Sequence, residues 1–331
     1  MARKTALLFG VLIVAASTAQ GAARPDCPDD VCTCLGQAAK FDVVAGRSVK
    51  GRAAKVSASG SSYVIPAGIT GRACADTAAF GGSSDDPDTA SELVVTAPGG
   101  IAASFKAKKI YGTIDPGTQI DGDLATGGGA IKGLAAVSVG GAIDTSGTHA
   151  DVAICGQAMA DIQSASAMLA GLAPTQDLGS VSVTGGSGSP TTIVAGPGVN
   201  VINTTGIRLK AARASYGYRD GSQLLIDMAA GTDSVIINTG KLSVGAECQV
   251  SVTGDGGDPS RIIINLVGKG SAKISKNATV DAMILAAGGK IGVRSGSQVS
   301  RLFSGAVSIK GAQAGGLATA CSPSGAFVDS D

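Results

Sequence analysis

Three sets of side chains in this 331-residue chain have types and spacings that could do chemistry. Cys27, Cys32 and Cys34 follow one another as C-x4-C-x-C, and Cys74, Cys155, Cys248 and Cys321 bring the total to seven. Closely spaced thiols either hold zinc or pair as disulfides. The C-x-C pair lacks the usual C-x2-C geometry of a structural zinc site, and the sole histidine, His149, lies far along the chain. All seven cysteines are therefore disulfide candidates, with about three bridges expected and one thiol left over or joined to a second chain. The cluster at 27–34 would staple the N-terminal segment to the body.

Carboxylates form the second set. Asp85, Asp86 and Asp88, and separately Asp255 and Asp258, could serve as acid and base on a polysaccharide, as in lyases and hydrolases built on coiled sheets. Both groups sit in Gly/Ser/Pro tracts, where aspartate is favoured for turn hydrogen bonds. The chain has only two glutamates, Glu92 and Glu247, and aromatic residues make up 3%, too few for a sugar-stacking platform. The run Gly254–Asp258 could cradle calcium but is not the repeated nonapeptide of calcium-lined solenoids, so it reads as a turn. His149, in Thr145-Ser-Gly-Thr-His-Ala-Asp151, has Ser and Asp nearby but no Gly-x-Ser-x-Gly elbow, and reads as part of a loop. No catalytic, cofactor or metal site emerges.

The elements that would carry these residues are mostly strands. Between Ile262 and Ile309, short apolar pieces recur about every six residues, with Gly, Ser, Asn and Lys between them. The run Ile114, Ile120, Leu124, Ile131, Val137 and Ile143 repeats that spacing. Strand, turn, strand at a fixed short period is how a chain coils into a solenoid. The 50 glycines fit many tight turns, and the apolar content of 44% excludes disorder. One stretch breaks the rule. Ala158, Ile162, Ala165, Leu169 and Leu172 step by four, three, four and three, a helical stripe over Gly156–Leu172, with Asp161 and the serines off it. Such a helix would pack along the side of the solenoid.

Lys106, Lys108 and Lys109 read as a solvated strand face. A net charge of +1, from 26 basic and 25 acidic residues, offers no overall basic field to nucleic acid. Residues 1–21 have the charged, apolar, small-residue order of a secretory signal. Nothing later is long and apolar enough to span a bilayer. The expected organisation is a signal at 1–21, a Cys-rich segment at 22–34, a single solenoid domain at 35–327 and a tail at 328–331.

Several pieces resemble the choice-of-anchor A domain of exported bacterial surface proteins and, more distantly, ice-binding-type β-solenoids. They are Leu35–Gly46 with Val49–Ala54, Gly198–Asn203 with Leu224–Asn238, and Ala278–Ala287 with Leu302–Val307. The likeness spans most of 35–309, while Ser322–Asp331 carries no sorting motif. It implies a right-handed parallel β-helix with a flanking helix, a surface or adhesive role and no catalytic residues. The expected function is a non-catalytic extracellular structural or adhesive protein. It would meet a polysaccharide or protein of the cell surface or matrix through a rigid face of Ser, Thr, Gly, Asn and Lys. Ice binding and a polysaccharide-active enzyme are the alternatives. No nucleic-acid partner is expected.

Overall fold

A computed structural model describes residues 34–52, 54–58, 61–65, 68–80, 88–95, 101–103, 118–120, 123–128, 137–185, 190–213, 219–254 and 257–315. Among the described residues twenty-two strands form one continuous sheet, and every pairing in it is parallel. The long strands Thr232–Val244, Ile262–Ile274, Met283–Val293, Leu302–Lys310 and Val43–Arg52 each turn a corner midway, where the register shifts. Each coil therefore contributes to three faces. The chain is a mostly β, parallel β-solenoid.

Glycine explains the first corner. Gly240, Gly270, Gly289, Gly305 and Gly46 stack there, one per coil. A Cβ on Gly270 would sit 2.9 Å from Gly240 O, and one on Gly305 would sit 2.8 Å from Gly289 O. A Cβ on Gly289 would collide with Gly270 O. At Gly270, Gly289 and Gly305 a side chain would strike the carbonyl of the coil beneath, so only Gly lets the turn stay this tight there, whereas Gly46 has room for a Cβ.

The coils do not stack in chain order. One end of the column starts with Gln176–Asp177 and Ser180–Thr184, and coils follow in sequence to Leu302–Lys310 and Gln313–Gly315. The next coil is N-terminal: Val43 pairs with Leu302, and Gln313 pairs with Gly68. The column then runs on through Gly68–Phe80, Asp88–Val95 and Leu124–Thr126 to Ile143–Asp144. At the seam Arg301 Nε lies 3.3 Å from Asp42 Oδ1, with both side chains largely buried, and Arg301 Nη1 donates to Ala39 O at 3.3 Å. Eleven strands line the first face, so the column is about 48 Å tall at roughly 4.8 Å per coil.

Helix α1, Ala150–Gly171, carries the chain from the far end back to the start. At 22 residues it is about 33 Å long, and it lies along that first face. It begins six residues before the expected Gly156, because His149 acts as N-cap and its Nδ1 accepts from Asp151 N at 3.3 Å. Strands beneath the helix are covered on both sides. Val235 and Ile237 point into the column while Ile236 meets the helix; Ile262, Ile264 and Ile263 repeat the arrangement. Two apolar layers result, one inside the coils and one between sheet and helix.

The stripe Ala158, Ile162, Ala165 and Leu169 faces the sheet as expected, each at most 1% exposed. Asp161 and Ser166, expected off that stripe, are buried too. Asp161 Oδ2 accepts from Gln37 N at 2.7 Å and its Oδ1 from Gln157 Nε2 at 2.9 Å, anchoring the helical turn Gly36–Lys40. Ser166 Oγ donates to Asn265 Oδ1 at 2.7 Å. Asn265 Nδ2 donates to Ser166 O at 3.1 Å and to Asn238 Oδ1 at 2.8 Å, and Asn238 Nδ2 donates to Leu169 O at 2.9 Å. This asparagine ladder stitches helix to sheet. Cys74 and Cys155 form a disulfide, Cα to Cα 5.5 Å, which fixes the helix near its other end.

Candidate functional site

The helix covers the first face, and among the described residues the second and third faces are open. The second is built from 180–184, 206–210, 241–244, 271–274, 290–293, 306–310 and 48–50. Alternate residues point inward and are buried: Val181, Val183, Ile207, Leu209, Leu242, Val244, Ile274, Ile291, Val293, Val307, Ile309 and Val49. The others point outward in columns fixed by register. One column reads Lys241, Ser271, Lys290, Ala306, Ser48; its neighbour reads Ser182, Arg208, Ser243, Lys273, Gly292, Ser308, Lys50. Lys210 and Lys310 project beside them.

Seven exposed cations therefore share a face with no carboxylate among its described residues, although the whole chain carries only +1. Among the described residues none of the seven is in an ion pair. Short Ser, Gly and Ala between the cations leave a shallow groove of about 750 Å³ lined by Lys241, Lys273, Lys290, Lys310, Lys50 and Arg294 with Ser48, Ser271 and Ser308. A second hollow of about 470 Å³ continues past Arg208 to Ser180. The third face is narrower and neutral on its main column: Gln223, Gln249, Thr279, Gln298 and Gln313 lie in register, one per coil.

The residues singled out from sequence lie elsewhere. Asp258 caps a short helical turn, its Oδ1 accepting from Ser260 N at 2.9 Å and Ser260 Oγ at 2.6 Å; it is the turn residue expected. Gly254 beside it sits at φ 91°, where its missing Cβ avoids Met228 O. Asp255, Asp85 and Asp86, the lysines 106, 108 and 109, and residues 1–33 with Cys27 and Cys32 lie outside the described residues, as does Cys321. The strand Asp88–Val95 begins at Asp88. His149 is the helix cap rather than part of a nucleophile set. Cys34 is buried at the start of the first helical turn. Cys248, also a disulfide candidate, is a buried thiol that accepts from Ser222 N and Oγ at 3.4 Å. It is 0% exposed inside the column, so it is not placed to join two chains.

Sequence reading missed the cationic face. Its signal was present as Gly-x-Arg-Leu-Lys, Gly-Lys-Leu-Ser-Val, Ala-Lys-Ile and Gly-Lys-Ile-Gly-Val, a cation at an outward position after each glycine corner. Whole-chain net charge hid it. Among the described residues, no cluster of three or more His, Cys, Asp or Glu could hold a metal, and no helix is long and apolar enough to cross a membrane.

The architecture defines a parallel β-solenoid with one face closed by a helix and one face presented as an open cationic ladder. The chain belongs to the ice-binding-like adhesive domain family, which it matches over residues 38–316. That match bears on the distant ice-binding likeness and not on the choice-of-anchor A assignment. Solved structures similar to it include an ice-binding protein from the Antarctic ascomycete Antarctomyces psychrotrophicus, at 14% identity, TM-score 0.45, covering 86% of this chain and 98% of that one. An ice-binding protein from an Arctic yeast is 15% identical at TM-score 0.45, covering 86% and 95%. An ice-binding protein from Shewanella frigidimarina is 12% identical at TM-score 0.27, covering 85% and 95%. No curated protein matches the chain.

Proposed function

We propose that the protein is an exported, non-catalytic adhesion module that holds a surface or matrix component on its second face. The observation that carries this reading is the open sheet itself: outward Lys, Ser and Gly in register, on strands whose inner sides are locked in the core. A face of this kind is preorganised. Its many weak polar contacts cost little ordering entropy and sum by multivalency. The adhesive description of the family supports it, and the signal-like order of residues 1–21 supports export.

The test is localisation of a tagged protein in the producing cell, followed by pull-down from the envelope fraction. We expect secreted material beginning near Ala22 and retained by an envelope component. Freely diffusing protein with no envelope partner, or reproducible cleavage of a glycan, would end the adhesion reading. Ice binding is a second reading, favoured by the neutral Gln and Thr column of the third face. It requires thermal hysteresis at micromolar protein, weakened by a bulky change at Gln249 or Gln298 and untouched by changes on the cationic face.

A further inference from the structure

We propose that the ligand of the cationic face is a linear polyanionic glycan lying along the column axis, with an acidic group near each coil. This rests on the adhesion reading and narrows it to a ligand class. The register carries the argument. Going up the column, Arg208, Lys241, Lys273, Lys290, Lys310 and Lys50 supply a cation in each of six successive coils. Coils rise by roughly 4.8 Å, close to the advance per sugar of an extended pyranose chain. Only one or two cations lie across any single coil, so a polymer gains most contacts by running along the axis.

The chemistry of the face favours a glycan over other polyanions. Six of the seven outward cations on the strands are lysine, and Arg294 joins them at the edge of the groove. Lysine is a point charge that tolerates an anionic group in varied orientations, which suits a flexible polymer whose acidic groups need not meet a fixed bidentate fork. Serines alternate with the lysines along the groove, and their hydroxyls can exchange hydrogen bonds with sugar hydroxyls. Among the described residues no aromatic side chain lines either hollow, so unpaired nucleobases have nothing there to stack on. Among the described residues the sheet also presents no exposed large apolar side chain along the groove to enter a lipid layer.

The experiment uses the full mature chain against immobilised alginate and heparin, with neutral dextran, oligo-dT and anionic lipid vesicles as comparators, over a salt series. Alongside it, retention on the envelope fraction is measured for the same proteins. We expect binding to at least one acidic polysaccharide, none to dextran, and weaker binding to oligo-dT and vesicles. In the triple variant K241Q/K273Q/K290Q, affinity should fall about 100-fold, at roughly fivefold per surface cation. The slope of log affinity against log salt should become shallower by about 2. The charge-keeping variant K241R/K273R/K290R should restore binding, which separates charge from folding. Failure to bind either acidic polysaccharide, with envelope retention intact in the triple Gln variant, would overturn this inference and leave adhesion standing. Oligo-dT or vesicles bound as tightly through the same lysines would overturn the glycan assignment. Loss of both envelope retention and polyanion binding in the wild type would remove both readings.

Discussion

Replacing Asn265 with alanine tests how the helix is held to the solenoid. The side chain is 0% exposed and makes three hydrogen bonds: it accepts from Ser166 Oγ at 2.7 Å and donates to Ser166 O at 3.1 Å and Asn238 Oδ1 at 2.8 Å. Truncation leaves the Ser166 hydroxyl and the Asn238 carbonyl oxygen buried without these partners. Each such orphan costs about 1–3 kcal/mol, so the expected loss is about 3–5 kcal/mol. Equilibrium urea unfolding measures it as a lower midpoint at unchanged slope. S166A and the double variant complete a cycle. Because both residues belong to one network, the cycle should show a coupling of about 1 kcal/mol or more. Amide exchange should quicken in 160–171 before it quickens in the coils. A loss below about 1 kcal/mol, or strict additivity with S166A, would mean that the ladder does not hold the helix and that apolar contact alone does.

Three further outcomes follow from particular residues. Removing the Cys74–Cys155 bridge as C74A/C155A frees a loop of sequence separation 81 and should lower stability by up to about 4.5 kcal/mol by chain entropy, read by unfolding against the oxidised parent; no change would contradict a bridge formed in the native protein. G289A places a methyl against Gly270 O at the stacked corner and should destabilise by about 1–3 kcal/mol, whereas G292A, with open space around its Cβ position, should cost much less; equal effects would refute the corner argument. Burial raises the pKa of Asp281 above its ordinary value. Between the unfolded and folded pKa the native state binds more protons than the unfolded chain, so unfolding free energy falls as pH rises through that window. The cost is complete above the folded pKa and absent below the unfolded one. D281N should therefore raise the melting temperature at pH 7, with the gain fading in acid; a gain that persists in acid would assign it to another cause.

The coiled sheet was legible because its two kinds of strand leave different marks. Ile262-Ile-Ile and Val235-Ile-Ile are unbroken apolar runs because both sides are covered, by core and by helix. Lys241-Leu-Ser-Val and Lys290-Ile-Gly-Val alternate because only one side is. The helix stripe was equally clear, but its first turn was not. His149 is an uncommon cap, so the start was not marked even though Val152 and Cys155 continue the buried stripe toward it. Asp161 and Ser166 read as solvent-facing by type, and only their partners Gln37, Gln157 and Asn265 explain their burial. The cationic face needed register. Lys241 and Lys290 lie far apart in the chain and become neighbours through Ser271, which pairs with both. The order of the coils was hidden for the same reason, since nothing in 43–52 announces that its partner is 302–310.

That seam has a consequence for how the protein is made. Val43–Arg52 is made long before Leu302–Lys310, the strand that covers one of its edges. Until Leu302–Lys310 exists, one side of the earliest coil is a bare row of backbone donors and acceptors, open to any passing strand. The contacts that close it are among the longest-range in the chain, and such contacts form late because loop closure must come first. The C-terminal coils from Thr232 to Lys310 stack on chain neighbours and can form on their own terms, so they are the natural template on which the N-terminal coils are laid. A chain of this design leaves the coil at 43–52 incomplete until the strand at 302–310 has been made and has folded against it.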